Sequence, residues 1–183
     1  MIPIKVLVPS GVLGLGFDLE ALNNGIKNNP DIISIDGGST DSGPYSLGSG
    51  TSKYSRAAIK AEWKSLMIAR EKANVPLVVG SCGTCGTNGM VDWMENITIE
   101  LAEELNQHLK IAKLYCDQKK NYIKKSYKLN KILSLNPAPK LNNKVIDEMT
   151  NIVALAGAEQ IQECINTGAD IVLAGRSTDT AII

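Results

Sequence analysis

The chain reads as an α/β protein: a three-layer, Rossmann-like domain with a mainly parallel sheet and helices on both faces. Two observations predict this. Short apolar runs alternate with helical patterns almost throughout, and repeated strand–helix units build parallel sheets through right-handed crossovers. Polar, glycine-rich stretches follow several of the apolar runs, and that is the sheet edge where open α/β folds bind ligands.

Taken in order, Ile4–Val8 is the first expected strand, and Asp18–Lys27 a helix with Leu19, Leu22 and Ile26 on one face. Asp31–Ile35 is the second strand. Arg56–Ala73 is a strong helix, because Ile59, Trp63, Leu66, Met67 and the aliphatic stem of Arg70 recur at three- and four-residue spacing. Pro76–Val79 reads as a strand, Met90–His108 as a helix, Ile111–Tyr115 as a strand and Asp117–Lys128 as a lysine-rich helix. Lys131–Asn143, with Pro137 and Pro139, is an irregular linker, and a short helix is expected around Val145–Thr150. Ile152–Leu155 reads as a strand, Ala158–Asn166 as a helix and Ile171–Ala174 as the last strand.

Composition narrows the function classes. A chain of 183 residues suits one domain. Nineteen basic and nineteen acidic residues balance, so nothing global points to nucleic acid or an anionic membrane. No apolar run approaches a membrane span, and Met1–Lys5 lacks a secretory core; a cytoplasmic protein is expected. The four cysteines suggest no disulfide framework. The sequence stops soon after its last strand, which points to the N-terminal part of a longer protein, the alternative being an edge strand with a short tail. Lys119, Lys120, Lys124, Lys125, Lys128 and Lys131, with Tyr122 and Tyr127, read as a solvated face rather than an RNA surface. His108, near a helix C-terminus, is explained by the helix dipole.

Four polar loops carry the chemistry. Asp36 opens a run, Asp36-Gly37-Gly38-Ser39-Thr40-Asp41-Ser42-Gly43-Pro44-Tyr45-Ser46-Leu47-Gly48-Ser49-Gly50, far longer than the roughly 2–6 residues of a simple connection. Asp36 and Asp41 suit general acid/base work or Mg²⁺; Ser39, Thr40, Ser42 and Tyr45 supply hydroxyls; Gly37 and Gly38 allow close backbone approach. A self-folded network of Asx and Ser turns is the alternative. Ser10, Gly11, Gly14 and Gly16 form a glycine-rich turn whose amides suit an anion, or a tight turn capped by Asp18. The pattern G-x-G-x-x-G is absent, so NAD is not expected.

In Gly80-Ser81-Cys82-Gly83-Thr84-Cys85-Gly86-Thr87, the residues Gly80, Ser81, Gly83 and Thr84 read as pocket lining. The C-x-x-C spacing also fits a dithiol or half a zinc site, although His108, Cys116 and Cys164 stand at no ligand spacing; no metal site is assigned. Arg176, one of three arginines against sixteen lysines, follows the last strand and suits a bidentate clamp on a carboxylate or phosphate, with Asp179 close behind. An ion pair with Asp179 or Asp36 is the alternative.

Set together, these motifs resemble the acyclic terpene utilisation AtuA family. The matching residues are Gly14-x-Gly16-Phe17-Asp18 with Ala21-Leu22, then Pro30-Asp31 through the Asp36–Gly50 run. They continue with Gly80-Ser81-x-Gly83-Thr84-x-Gly86, with Asp92-Trp93, and with Gly168-Ala169-Asp170-Ile171-Val172 leading into Gly175-Arg176-x-x-Asp179. The resemblance implies a longer protein and a link to bacterial catabolism of acyclic isoprenoids such as citronellol and geraniol through acyl-CoA intermediates. Cys82 and Cys85 depart from it, since relatives carry small residues such as alanine there.

The favoured expectation is an enzyme domain or subunit acting on a small carboxylate or acyl-CoA-type ligand. Asp36, Asp41 and Arg176 are its expected catalytic residues, with acid/base or lyase- and hydratase-type chemistry. A non-catalytic ligand-binding or assembly subunit comes next, and a Cys82/Cys85 dithiol redox protein last. A homo-oligomer or a partner subunit is expected, with no nucleic acid and no membrane as partner.

Overall fold

The computed structural model describes residues 3–38 and 44–183. Five parallel strands form one sheet: β1 (Val6–Leu7), β2 (Ile32–Asp36), β3 (Leu77–Gly80), β4 (Ile111–Leu114) and β5 (Ile171–Ala174). Their spatial order is β1-β2-β3-β5-β4. Between them lie α1 (Leu19–Ile26), α2 (Tyr45–Ser49), α3 (Arg56–Ala73), α4 (Asn88–Leu105), α5 (Lys120–Lys128), α6 (Asn143–Glu148) and α7 (Ala158–Asn166), and a 3₁₀ turn spans Asp179–Ile182. The fold is the three-layer α/β architecture that the sequence predicts.

Period-two alternation divides the sheet residues between two cores. Ile33, Ile35, Leu77, Val79, Ile171 and Leu173 pack with Leu22, Trp63 and Ile97 of α1, α3 and α4. The intervening Val78, Val172 and Ala174 pack on the opposite face with Ile161 of α7 and with Ala181 and Ile182. Both faces of the sheet centre are therefore buried, as parallel strands require. Trp63 is fully buried, and its Nε1 donates to Thr98 Oγ1 at 2.9 Å, pinning α3 to α4. Ser55 caps α3, and Asn74 and Asn106, at φ 55° and 54°, end α3 and α4 in left-handed turns.

Topology sets the crevice. The chain lays down β1, β2 and β3 in adjacent order, passes over to β4 at the far edge, and returns to insert β5. From β3 it leaves into α4 on one face, and from β5 into the 3₁₀ turn on the other. Neighbouring strands whose connections part to opposite faces open a crevice at their C-terminal ends.

Expectation and structure differ in three places. Ile152–Leu155 is no strand of the sheet: only isolated bridges form, Val153 with Asp117 and Ala156 with Ser177. The chain crosses the C-terminal edge there instead of running through the sheet. Tyr45–Ser49 is a short helix rather than open loop, and Asp179–Ile182 a 3₁₀ turn. Residues 129–142 contain neither helix nor strand, and α6 follows directly. Among the described residues no helix is long and apolar enough to cross a membrane.

Candidate functional site

Glycine is used in two different ways along the C-terminal edge. After β1, the amide of Leu13 donates to the Asp36 carbonyl at 2.7 Å and ties the loop to the end of β2. The amides of Gly14 and Gly16 then donate to the two carboxylate oxygens of Glu62, each at 2.7 Å. Gly14 and Gly16, at φ 107° and 89°, turn those amides toward one point, an anion-binding concavity. The protein fills it with a carboxylate from α3. Ser10 turns back on its own loop, its Oγ bonded to the carbonyl and amide of Val12, while Gly11 has open space around it. Asp18 caps α1 by accepting from the Glu20 amide at 2.8 Å.

The same device recurs at α4. Its first amide, that of Asn88, donates to Asp117 Oδ1 at 3.0 Å, and Asn88 Oδ1 in return accepts the amides of Cys116 and Asp117. The helix N-terminus thus faces an internal carboxylate.

Between these two lies the centre of the edge, where glycines act as spacers. Asp36 ends β2 opposite Gly80 in the ladder, and its Oδ1 accepts the Gly38 amide at 2.9 Å. The Gly37 amide donates to the Gly80 carbonyl, and the Gly37 carbonyl accepts the Thr84 amide at 3.0 Å. A Cβ on Gly38, at φ 136°, would sit 2.5 Å from Thr84 Cα. A Cβ on Gly86 would meet Arg176 Cα at 2.6 Å. Ser81 Oγ bridges the amide and carbonyl of Ser177, and Gly83 adopts φ 57°. The loops after β2, β3 and β5 are therefore in backbone contact.

Thr84 is where they meet. It is buried, at φ 67°, a conformation that is a true outlier for a β-branched residue. Its Oγ1 accepts the Lys53 amide at 3.1 Å, and its carbonyl accepts Arg176 Nη1 at 3.2 Å. Arg176 and Asp36 are both half-buried at this edge. Tyr45 begins α2 and is exposed, and Asp179 is exposed in the 3₁₀ turn. Ser39, Thr40, Asp41 and Ser42 lie outside the described residues.

A strap at 150–156 spans these loops. Thr150 Oγ1 donates to the Gly48 carbonyl and Asn151 Nδ2 to the Leu47 carbonyl, both at 2.7 Å, satisfying orphan carbonyls at the end of α2. Ala154 then donates to the Cys116 carbonyl and Ala156 to the Arg176 carbonyl, both at 2.8 Å. Sequence reasoning missed this strap, Glu62 and Lys53. Glu62 sits on a helix 46 and 48 residues away from the amides it binds, and no local spacing signals such a contact.

Cys82 and Cys85 are buried free thiols. Burial pushes the Cys82 thiol well above its ordinary value, with smaller contributions from Cys116 and Cys85. A redox nucleophile needs the reverse, a stabilised and accessible thiolate. Burial also raises the Cys116 thiol, whose Sγ donates to the Arg176 carbonyl at 3.4 Å. Among the described residues no three His, Cys, Asp or Glu side chains converge as a metal site.

No curated protein and no solved structure matches this chain. The model of the acyclic terpene utilisation family protein AtuA matches residues 45–183. That span includes the Thr84 loop, the strap and Arg176, and begins just after the Asp36–Pro44 run. The chain belongs to the AtuA family.

Proposed function

We propose that this chain is an enzyme domain or subunit in bacterial catabolism of acyclic isoprenoids or related small acids, working in the cytoplasm. Its ligand is a small carboxylate or an acyl-CoA-type thioester bound at the centre of the C-terminal edge. Arg176 engages the anionic group, and Asp36, with Asp41, exchanges protons with the substrate; lyase- or hydratase-type chemistry suits that pair of charges. The observation that carries the reading is the convergence of the loops after β2, β3 and β5 at Thr84, at the crevice where α/β sheets bind ligands. Family membership supports the pathway. The buried, proton-retaining Cys82 weighs against the dithiol reading.

A thermal-shift series with short branched acyl-CoAs, the matching free acids and Mg²⁺ tests this. At 100 times its dissociation constant a ligand adds about 2.7 kcal/mol of stability, and Tm rises by roughly 5–10 °C. Arg176→Ala should abolish the rise. Asp36→Asn should keep binding and lose turnover. If both variants bind and turn over the ligand as the wild type does, the site lies elsewhere. Binding without turnover in the wild type would instead identify a ligand-binding subunit.

A further inference from the structure

We infer that Thr84 is the positioning residue of this site, aiming Arg176 through its backbone rather than offering its hydroxyl to a ligand. The inference rests on the reading that the C-terminal edge holds the ligand. Every polar group of Thr84 is used inside the protein. Its amide goes to the Gly37 carbonyl, its Oγ1 takes the Lys53 amide, and its carbonyl takes Arg176 Nη1. These partners lie on the loop after β2, the connection into α3 and the loop after β5.

The backbone conformation supports this role. A left-handed threonine crowds its branched Cβ against the chain, and glycine would relieve that crowding. Gly83 and Gly86, on either side, already take such angles. Where an outlier is held by surrounding structure at a candidate site, function is the economical reason. Here the Oγ1 bond to Lys53 holds the rotated peptide, and the rotated peptide points its carbonyl at Arg176. Losing the hydroxyl removes one tie on that carbonyl, and losing Cβ as well lets the peptide turn away.

Arginine labelling by phenylglyoxal, mapped by mass spectrometry on the whole chain, tests this without any ligand. The chain has three arginines. Arg56 is paired at the surface with Glu100, and Arg70 with Asp170, so these two serve as internal references. Thr84→Gly should speed labelling of Arg176 roughly ten-fold, the worth of one charge-assisted hydrogen bond, Thr84→Val should speed it by less, and both should leave Arg56 and Arg70 unchanged. Thr84→Ser, which keeps Oγ1, should label as the wild type does. Thr84→Gly should melt no lower than Thr84→Val. Wild-type labelling of Arg176 in folded Thr84→Val and Thr84→Gly overturns the inference, as does a rise at all three arginines together. Protection of Arg176 by an acyl-CoA belongs to the functional reading. Its failure would leave the labelling result, and this inference, standing.

Discussion

The loops after β1 and after β3 are both glycine-rich and both lead into a helix, yet they use glycine for opposite ends. After β1, Gly14 and Gly16 turn their amides toward Glu62, and the anion site they form is taken. After β3, Gly86 and the facing Gly37 and Gly38 form no such concavity. They let three backbones approach closely, so that Asp36 and Arg176 come to one edge. The difference teaches that glycine count does not locate an anion site. What matters is whether the amides already have an acceptor. On this measure the β1 loop leaves no open anion site at those amides, and the charged side chains at the centre of the edge are Asp36 and Arg176.

The largest effect should come from filling the close approach. Gly86→Ala places a methyl group 2.6 Å from Arg176 Cα, on a residue already at φ 65°. Overpacking and the left-handed penalty together cost roughly 3–5 kcal/mol, with Tm lower by about 10 °C. Gly11→Ala, in open space without a positive φ, should be neutral or raise Tm slightly. Calorimetric melts of the two variants check the contrast, and equal losses would erase the distinction between spacer and bystander.

An intermediate effect is expected at Glu62. Glu62→Ala strips the amides of Gly14 and Gly16 of their shared acceptor. Gly14 is half-buried and Gly16 exposed, so water repairs part of the loss and the cost is about 2 kcal/mol. Urea denaturation should show it, with faster hydrogen exchange at both amides. Glu62→Gln, with one oxygen left, should fall between. Unchanged exchange in Glu62→Ala would mean that the turn stands without its internal anion.

Much of the scaffold was legible in the sequence because burial leaves a period. Arg56–Ala73, Ala158–Asn166 and Ile171–Ala174 were read to the residue; the two helices declare their buried faces by spacing, and the strand is an unbroken apolar run. Ile152–Leu155 misleads because four apolar residues look alike in a strand and in a strap whose amides bond to the carbonyls of Cys116 and Arg176. Tyr45–Ser49 is too short to show a period. The gathering of Gly37, Gly38, Thr84 and Arg176 at one edge follows from strand order and was foreseeable. The role of Glu62 was not, since a polar residue on a helix face gives no sign of what it reaches across space.

The smallest effect concerns carboxylates that meet cations instead of amides. On the outer surface of α3 and α4, Glu100 pairs with Arg56 and, at 3.1 Å, with Lys60, while Glu104 reaches Lys60 at 2.6 Å and Lys64 at 3.0 Å. Hydrogen bonds from Arg56 and then Lys60 hold the Glu100 carboxyl below its ordinary value, and those from Lys60 and then Lys64 do the same for Glu104. A carboxylate whose folded pKa lies below its unfolded one stabilises the fold above the unfolded value, about 4.3. That contribution disappears as pH falls through the lowered folded value. Melts of the wild type and of Glu100→Gln/Glu104→Gln should therefore differ slightly at pH 7 and converge in acid, and salt should shrink the gap at pH 7. Glu62→Ala should keep its deficit at high salt, because its amides lose a hydrogen-bond acceptor and not only a counter-charge. If salt closed that gap as well, the Glu62 contact would be one more surface ion pair in kind, and the loop after β1 would again be open to an outside anion.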